Sequence, residues 1–358
     1  MSRAIQQANK AYEDWLRDQL HGDIVEDDLA EKHKKMADGP FPFLRATYWR
    51  WAETILTVCP ALAGATSALS VGDIHLENFG TWRDVDGRLI WGVNDVDEAA
   101  ELPYVLDIVR LATSAALARS QNDLAIKDIC AAILEGYDDG LKHPRPYSLD
   151  EEHAWLRGLV VVPEEDRARF WEKLDKLKQA AKPPPPAYVD ALKAAMPDPD
   201  IAITVRPRTA GTGSLGRPRW VGFGEWRGGR VVREAKALVP SGWVRASGQG
   251  APGLRCKEIA LGAYRAPDPW YDVTGTIAVR RLSPNSRKLE VKDMPDELLR
   301  PRMLRAMGHE LASVHRGTGN RDAALAADFN GRGRGWLREA TDAAGDFVRG
   351  EFEAWRKG

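Results

Sequence analysis

Residues 71–80 read VGDIHLENFG, and residues 91–99 read WGVNDVDEA. The first stretch places Asp73 five residues before Asn78. A glycine-containing turn and a short apolar run separate the two stretches, and this pattern predicts a tight hairpin. Such a hairpin would return Asp95 to the side of Asn78. Apolar residues flank the first stretch, so its polar groups would sit beside a core where they need partners or a metal.

Two carboxylates and an amide in this arrangement are typical of phosphoryl transfer. One carboxylate takes the proton of the attacking hydroxyl, while the amide and the second carboxylate hold Mg²⁺ against nucleotide phosphates. We therefore predict Asp73 as the catalytic base and Asn78 and Asp95 as metal ligands. Asp97 and Glu98 follow closely and are alternatives for the principal metal ligand. Asp95 is preferred because it directly follows the end of the apolar strand.

His75 lies inside the same motif and has two interpretations. It could contact a phosphate during catalysis, or it could brace the loop, and bracing is favoured. The whole motif also has a simpler explanation, because short Asp/Asn/Gly stretches often form tight loops with only local hydrogen bonds.

Composition limits the classes of function. The 358 residues include 51 Lys and Arg and 52 Asp and Glu, and the net charge of -1 gives no field that would attract nucleic acid or a membrane surface. The three cysteines, Cys59, Cys130 and Cys256, are far apart, which is unlike a disulfide or metal framework and favours a reducing cytoplasm. No apolar run is long enough for a membrane helix.

Hydrophobic periodicity predicts three blocks. They are a helical block over 1–195, a β-rich block over 196–292 and a helical block over 293–358. In the first block the predicted helices are separated by a break at 39–45, and the helix at 104–119 is apolar around most of its circumference. The stretches at 182–188 (KPPPPAY) and 196–200 predict a stiff, extended linker. The predicted strands are 201–205, 219–224, 230–237 and 276–282, and helices follow at 298–316 and 335–356.

A glycine-rich stretch, RTAGTGSLGRPRWVGFGEW, covers residues 208–226. A dinucleotide fold would open a helix at its third glycine, but the alternation after it predicts a strand. Strand, glycine loop and strand is the arrangement that covers ATP phosphates in kinases. We therefore predict that the loop contacts phosphates, and the alternative is a glycine-rich hairpin without a ligand. The predicted phosphate-contacting residues are Gly211, Thr212, Gly213, Ser214 and Gly216.

The next strand carries Arg233 and Lys236 near its end. A lysine there would reach the nucleotide phosphates, and an acid on the following helix, Glu258, would hold it in place. Without the other motifs, Lys236 and Glu258 would be an ordinary solvated surface pair.

The order of these motifs is unusual, because the catalytic loop precedes the glycine loop. Reading residues 201–318 first and 71–142 second restores the kinase order. The motifs then resemble the aminoglycoside phosphotransferase branch of the kinase-like fold, with His315 ending a Leu-Ala-containing helix. Val71 stands where that branch has a histidine. The resemblance implies that Asp107 holds the catalytic loop from beneath.

Nearly the whole chain also resembles the bacterial family called domain of unknown function 2252. The resembling stretches are MADGPFPFLR, GDIHLENFG, NDVDEAAELPYVLDIVRLATS, GTGSLGRPR, REAKALVPS and GHELASVHRGTG. That family commonly has Lys-Glu-Ala where this chain has Arg233-Glu234-Ala235, while matching on Pro240-Ser241 places its lysine at Lys236. The choice between Arg233 and Lys236 as the phosphate contact therefore stays open.

Together these features predict an α+β, two-lobed, circularly permuted kinase-like fold that uses ATP and Mg²⁺. The predicted reaction transfers phosphate to an unidentified hydroxyl-bearing acceptor, with a small molecule favoured over a protein. The alternatives are AMP transfer from the same site, a nucleotide-binding pseudokinase or scaffold, and a metal-dependent hydrolase. No nucleic-acid or membrane partner is expected.

Overall fold

The structure is a computed structural model that describes residues 4–120, 124–248, 253–319 and 321–358. Within these ranges the chain is α+β, with many helices and three small antiparallel sheets. The helices are α1 (Ile5–Gln19), α2 (Glu26–Ala37), α3 (Pro40–Ala46), α4 (Tyr48–Val58), α5 (Val105–Ala118), α6 (Ile126–Lys142), α7 (Ala154–Val160), α8 (Glu164–Asp175), α9 (Pro186–Ala194), α10 (Gly242–Ser247), α11 (Cys256–Ala260), α12 (Pro295–Leu298), α13 (Pro301–Arg316), α14 (Asp322–Gly331) and α15 (Trp336–Lys357). The strands are β1 (Ser67–Ser70), β2 (Phe79–Arg83), β3 (Leu89–Val93), β4 (Ala100–Pro103), β5 (Tyr147–Ser148), β6 (Thr204–Pro207), β7 (Arg219–Trp226), β8 (Gly229–Ala237), β9 (Asp272–Thr274) and β10 (Ile277–Arg281).

The largest sheet has five antiparallel strands in the order β6, β7, β8, β10 and β9. Lys236 of β8 is opposite Arg219 of β7 and Ala278 of β10. Because side chains alternate along a strand, Glu234 and Lys236 share one face of the sheet and Arg233 points to the other. We call the face with Glu234 and Lys236 the cleft face.

Helices α8 and α9 cover parts of the two faces of this sheet. Phe170 and Leu174 of α8 pack with Val221 and Val232 on the cleft face. Helix α9 lies on the opposite face, where Leu192 is close enough to Gly222 to contact any added Cβ. The sheet therefore leaves the remainder of its cleft face available to a site.

The hairpin of β2 and β3 confirms the prediction that the chain turns back and brings Asp95 beside Asn78. Its register pairs Phe79 with Val93, so the residues on either side of the hairpin mouth, Asn78 and Asn94, are adjacent. Helix α5 is likewise confirmed as an interior helix, since every residue from Val105 to Ala116 is buried. Among the helices of the described ranges, none is both long and apolar enough to span a bilayer.

Two proline-rich stretches correct the sequence prediction. The break predicted at 39–45 is helix α3, which begins at Pro40, and the predicted extended linker contains helix α9, which begins at Pro186. Proline is compatible with the first helical position because the N–H it lacks would have no partner there. The prolines therefore start these helices and do not interrupt them.

Helices α6 and α13 pack against each other through glycines. A Cβ on Gly136 would lie 1.9 Å from the Arg305 carbonyl oxygen, and one on Gly308 would lie 2.2 Å from the Ile133 carbonyl oxygen. The two backbones are too close to admit even a methyl group.

We expect Gly136→Ala to lower the free energy of unfolding by about 1–3 kcal/mol or more, since 1–3 kcal/mol is the usual cost of overpacking a core. The measurement is urea denaturation. The control is Gly350→Ala on the exposed side of α15, where nothing lies within 4 Å of an added Cβ. That variant should be as stable as the unaltered protein or up to about 1 kcal/mol more stable. Equal stability of the two variants would contradict the close packing.

Candidate functional site

The acidic loop, residues 71–78, is held from beneath by one buried carboxylate. Asp107 of α5 accepts hydrogen bonds from the backbone N–H groups of Val71, at 2.7 Å, and Gly72, at 3.0 Å. His315, at the end of α13, contacts the same carboxylate through Nε2 at 3.2 Å. Asp107 therefore lies beneath the loop and holds it, as the resemblance implied.

Asp73 is paired with a buried arginine that the sequence analysis did not identify. Arg110 donates to Asp73 Oδ1 from Nη2 at 2.5 Å and from Nε at 3.2 Å. The guanidinium is fully buried and lies near the rings of Tyr48 and Trp51. Burial raises the pKa of the Asp73 carboxyl, and the charge of Arg110 opposes that rise. Asp107 and Arg110 are three residues apart on one helix, so they lie on the same side of it. Because Asp107 was expected beneath the loop, this spacing could have revealed that Arg110 pairs with Asp73.

Asn78 joins the acidic loop to the end of β3. Its Nδ2 donates to the backbone oxygens of Asp73, at 3.0 Å, and Asp95, at 2.8 Å, and its Oδ1 accepts from the Asp95 N–H at 2.8 Å. The side chain therefore fixes the spacing between the predicted base, Asp73, and the predicted metal ligand Asp95. One lone pair of Oδ1 is left over from these bonds.

His75 braces the loop in the way that the sequence favoured. Its Nδ1 accepts the N–H of Glu77 at 3.1 Å, which leaves the proton of a neutral ring on Nε2. Burial, reinforced by the charge of Arg45, lowers the pKa of His75 well below its ordinary value. The ring is thus neutral near pH 7 and lines the same small cavity as Asp73.

Lys236 meets the second acidic stretch directly. Its ammonium forms an ion pair with Asp97 and lies 3.5 Å from Asp95 Oδ1. Asp97 and Lys236 are nearly inaccessible, whereas the Asp95 side chain is 42% exposed. Partial desolvation by the cleft works to raise the pKa of Asp95, but cationic neighbours, Lys236 first among them, hold it below its usual range. Asp95 is therefore an ionised carboxylate with room for another ligand.

Two predicted contacts do not form. Glu258 lies on the surface in an ion pair with Arg255, so it does not hold Lys236, whose partners are Asp95 and Asp97. Arg233 points away from the cleft, donates to the Ala195 carbonyl and stacks on Trp270. The alternation of β8 allows only one of Arg233 and Lys236 to face the acids, and it is Lys236.

The glycine loop, residues 208–218 between β6 and β7, lies against the acidic loop. A Cβ on Gly213 would be 3.0 Å from Asp73 Oδ2, and Gly211 and Gly216 have φ values of +83° and +94°. The three glycines are needed for this close approach and for backbone conformations that other residues rarely adopt. Gly211, Thr212, Gly213 and Ser214 all line the small cavity beside Asp73, whereas Gly216 packs on Leu29.

Helix α2 holds the glycine loop against the acidic loop. Lys32 donates to the Gly213 carbonyl at 3.0 Å, and Lys35 donates to the Gly211 carbonyl at 3.4 Å. Asp28 accepts from the Thr209 hydroxyl at 2.7 Å. Burial lowers the pKa of Lys32 to about 8. An element that the sequence left without a role therefore positions the loop.

The cleft face also carries a cluster of arginines that the sequence analysis did not assemble. Glu234 is fully buried and forms ion pairs with Arg208, Arg219 and Arg280. These arginines draw the pKa of Glu234 well below its ordinary value. One carboxylate cannot neutralise three guanidinium groups, so this arginine cluster leaves a surplus positive charge above the acids.

Two larger cavities meet at this cluster. The inner cavity, of about 300 Å³, is lined by three aromatic side chains, Trp82, Phe170 and Tyr271, and by several basic residues. The outer cavity, of about 820 Å³, lies beyond the glycine loop. The residues that line both are Asn94, Arg208, Arg280 and Lys288.

The described ranges contain no group of three or more His, Cys, Asp or Glu residues placed to hold a metal ion. The predicted donor set is smaller and mixed, with the Asp95 carboxylate, the Asn78 amide oxygen and Asp97. Oxygen donors of this kind suit Mg²⁺, which keeps several waters and commonly takes other ligands from substrate phosphates.

A family model described as "Uncharacterized protein conserved in bacteria (DUF2252)" matches residues 24–182. The matched part contains both acidic motifs, Asp107 and Arg110, and it ends before the glycine loop. It supports the resemblance to this family over that part of the chain. No curated protein and no solved structure matches the chain.

We expect Lys32→Met to loosen the glycine loop, because the substitution keeps the length of the side chain and removes its hydrogen bond to Gly213. A bond worth about 1 kcal/mol corresponds to roughly fivefold faster amide exchange in the loop. Hydrogen-exchange mass spectrometry of residues 208–218 measures this change. The control is Lys34→Met on the exposed side of α2, where exchange should be unchanged. Identical exchange in both variants would show that Lys32 does not hold the loop.

Proposed function

We propose that this chain is an ATP- and Mg²⁺-dependent phosphotransferase that acts on a hydroxyl group. The observation that carries the proposal is the juxtaposition of the glycine loop with Asp73, Asn78 and Asp95, which come from distant parts of the sequence. The five-stranded sheet supports it as well, because it sets Lys236 opposite the two acids at Asp95 and Asp97. This arrangement fits a two-lobed, kinase-like fold with permuted order.

The electrostatics of the cleft fit a triphosphate. The arginine cluster and Lys236 supply four positive charges, whereas Glu234, Asp95 and Asp97 supply three negative ones. A net positive cleft with buried walls attracts polyphosphate and strengthens each contact. The aromatic inner cavity, which opens onto the same cluster, is then the place for the nucleoside.

Asp73 would accept the proton of the acceptor hydroxyl. Arg110 fixes its carboxylate in one orientation, and the Asn78 bond to the Asp73 backbone fixes its distance from Asp95. Asp95, with Asn78 Oδ1, would hold Mg²⁺, which when bound neutralises charge on the phosphates. The neutral His75 keeps an N–H available beside Asp73, where it would donate to a phosphate oxygen.

We expect ATP with Mg²⁺ to raise the thermal midpoint, and Lys236→Met to remove most of that rise. A ligand at 100 times its dissociation constant stabilises a protein by about 2.7 kcal/mol, which a melting curve resolves. Arg233→Met is the matched control, because Arg233 points to the other face of the same strand. Each variant is compared with its own ligand-free midpoint.

A thermal midpoint that ATP does not change, with or without Mg²⁺, would refute this proposal. Loss of the rise in Arg233→Met but not in Lys236→Met would instead place phosphate binding on the face of β8 that carries Arg233.

We expect Asp73→Asn to lower turnover by roughly 10²–10⁴-fold, the usual contribution of a general base, while the rise with ATP and Mg²⁺ persists. Asparagine keeps an oxygen for Arg110, which alanine would leave buried without its partner. ADP release gives the rate, and mass spectrometry of the acceptor identifies the transferred group. Asp86→Asn in the exposed turn after β2 is the control.

Turnover in Asp73→Asn equal to that of the control would refute the assignment of the base. A gain of AMP by the acceptor would identify nucleotidyl transfer, and absence of any transfer despite nucleotide binding would identify a pseudokinase.

A further inference from the structure

The outer cavity lies between the N-terminal helices and the glycine loop. Its walls come from the segment Lys35–Arg45, the end of α5 at Leu117 and Ala118, residues 290–292, and the start of the glycine loop. At about 820 Å³ it is large enough for a small organic molecule. The proposed nucleotide site gives it no occupant.

This cavity leads to the predicted base. It shares Arg45, Asp95, Gly211, Thr212 and Lys288 with the small cavity that Asp73 lines. The inner cavity reaches the arginine cluster through a different set of walls, which includes Trp82, Phe170 and Tyr271. A molecule in the outer cavity would therefore reach Asp73 without occupying the cavity that we assign to the nucleoside.

The lining of the outer cavity carries a net positive charge when no nucleotide is bound. Seven basic side chains and four carboxylates face it, and the buried Glu234 behind the arginine cluster reduces the surplus from three positive charges to two. The basic residues are Lys35, Arg45, Arg208, Arg219, Arg280, Lys288 and Lys292, and the carboxylates are Asp38, Glu77, Asp95 and Glu290.

The pairing of these groups leaves mainly positive charge unmatched. Arg45 is paired with Glu77, and Lys292 with Glu290. Lys288 has no hydrogen bond or ion pair from its ammonium to the described residues, and Arg45 Nε is buried there without a partner. Of the four carboxylates, the exposed Asp38 has no ion-pair partner among the described residues.

Resting on the phosphotransferase function above, we propose that the acceptor is an anionic hydroxyl compound, such as a sugar phosphate or a hydroxy acid. Lys288 and Arg45 bind its anionic group, and the apolar wall of Phe41, Leu117 and Val291 contacts its carbon skeleton. Its hydroxyl gives its proton to Asp73 as the new P–O bond forms and the bond to ADP breaks. Lys288 and the unpartnered Nε of Arg45 disfavour a polycation such as an aminoglycoside.

A reporter cysteine tests the charge of the cavity without any nucleotide. The native Cys59, Cys130 and Cys256 are buried, so Ala118→Cys introduces an accessible thiol in the wall of the cavity. Its rates of modification by an anionic and a cationic methanethiosulfonate are compared at low ionic strength. The same ratio at Leu261→Cys, an exposed position beside the paired Lys257, provides the reference.

We expect the anionic-to-cationic rate ratio at Ala118→Cys to exceed the reference by roughly tenfold, since a charged cleft raises the local concentration of counter-ions by such factors. The excess should shrink in high salt and fall severalfold when Lys292→Glu is added. Val291→Cys, on another wall, is a second reporter in case Ala118→Cys folds poorly. A ratio equal to or below the reference at both positions would overturn the inference.

An acceptor panel tests the chemical class itself. Glucose 6-phosphate, gluconate, glucose and kanamycin are compared for ADP release with ATP and Mg²⁺. We expect faster release with the two anions than with glucose and no release above background with kanamycin. Preferential use of kanamycin would overturn the inference and leave the phosphotransferase proposal standing. An anion-selective cavity in a chain that ignores ATP would remove the phosphotransferase proposal, and the acceptor role with it, and leave an anion-binding cavity.

Discussion

The Asp107 carboxylate accepts two backbone N–H groups of the acidic loop and contacts His315, all inside a core from which water is excluded. Loop backbone next to a core is costly unless its polar groups find partners, and Asp107 supplies them. The same helix sends Arg110 to Asp73. The orientation of the loop and of its carboxylate is thus set by one buried helix, and the remaining features of the site are built around that fixed point.

This anchoring explains how residues far apart in the sequence form one site. His315 belongs to a helix more than two hundred residues after the loop, yet it touches the carboxylate that holds the loop. Close packing of α13 on α6 through Gly136 and Gly308 fixes where that histidine can be. From the other side, the five-stranded sheet delivers Lys236 and the glycine loop, and Arg217 secures the end of that loop to Glu98 at 2.7 Å. The composition of the site therefore depends on where the helices and strands end in space more than on their order along the chain.

The sequence was most informative where contacts are local. A short hairpin sufficed to place Asp95 beside Asn78, and alternation along β8 sufficed to separate Lys236 from Arg233 once the sheet was known. It failed where a contact depends on packing between distant elements. Glu258 was assigned to Lys236 by analogy of position. Glu258 instead forms an ion pair with Arg255, which lies three residues away on the same helical turn. Arg208, Arg219 and Arg280 converge on Glu234 only because three strands are paired in register. Pro40 and Pro186 misled the prediction because proline breaks a helix interior but suits its first turn.

The contact between Gly213 and Asp73 has a kinetic consequence. In the phosphotransferase that we propose, a phosphate group would lie between them only after Lys32 and Lys35 release the loop. The rate of nucleotide association should then be governed by how often the loop opens, so it should level off as nucleotide concentration rises instead of increasing in proportion. Motion of the N-terminal helices, which carry no predicted catalytic group, would in this way set the pace at which the site is filled.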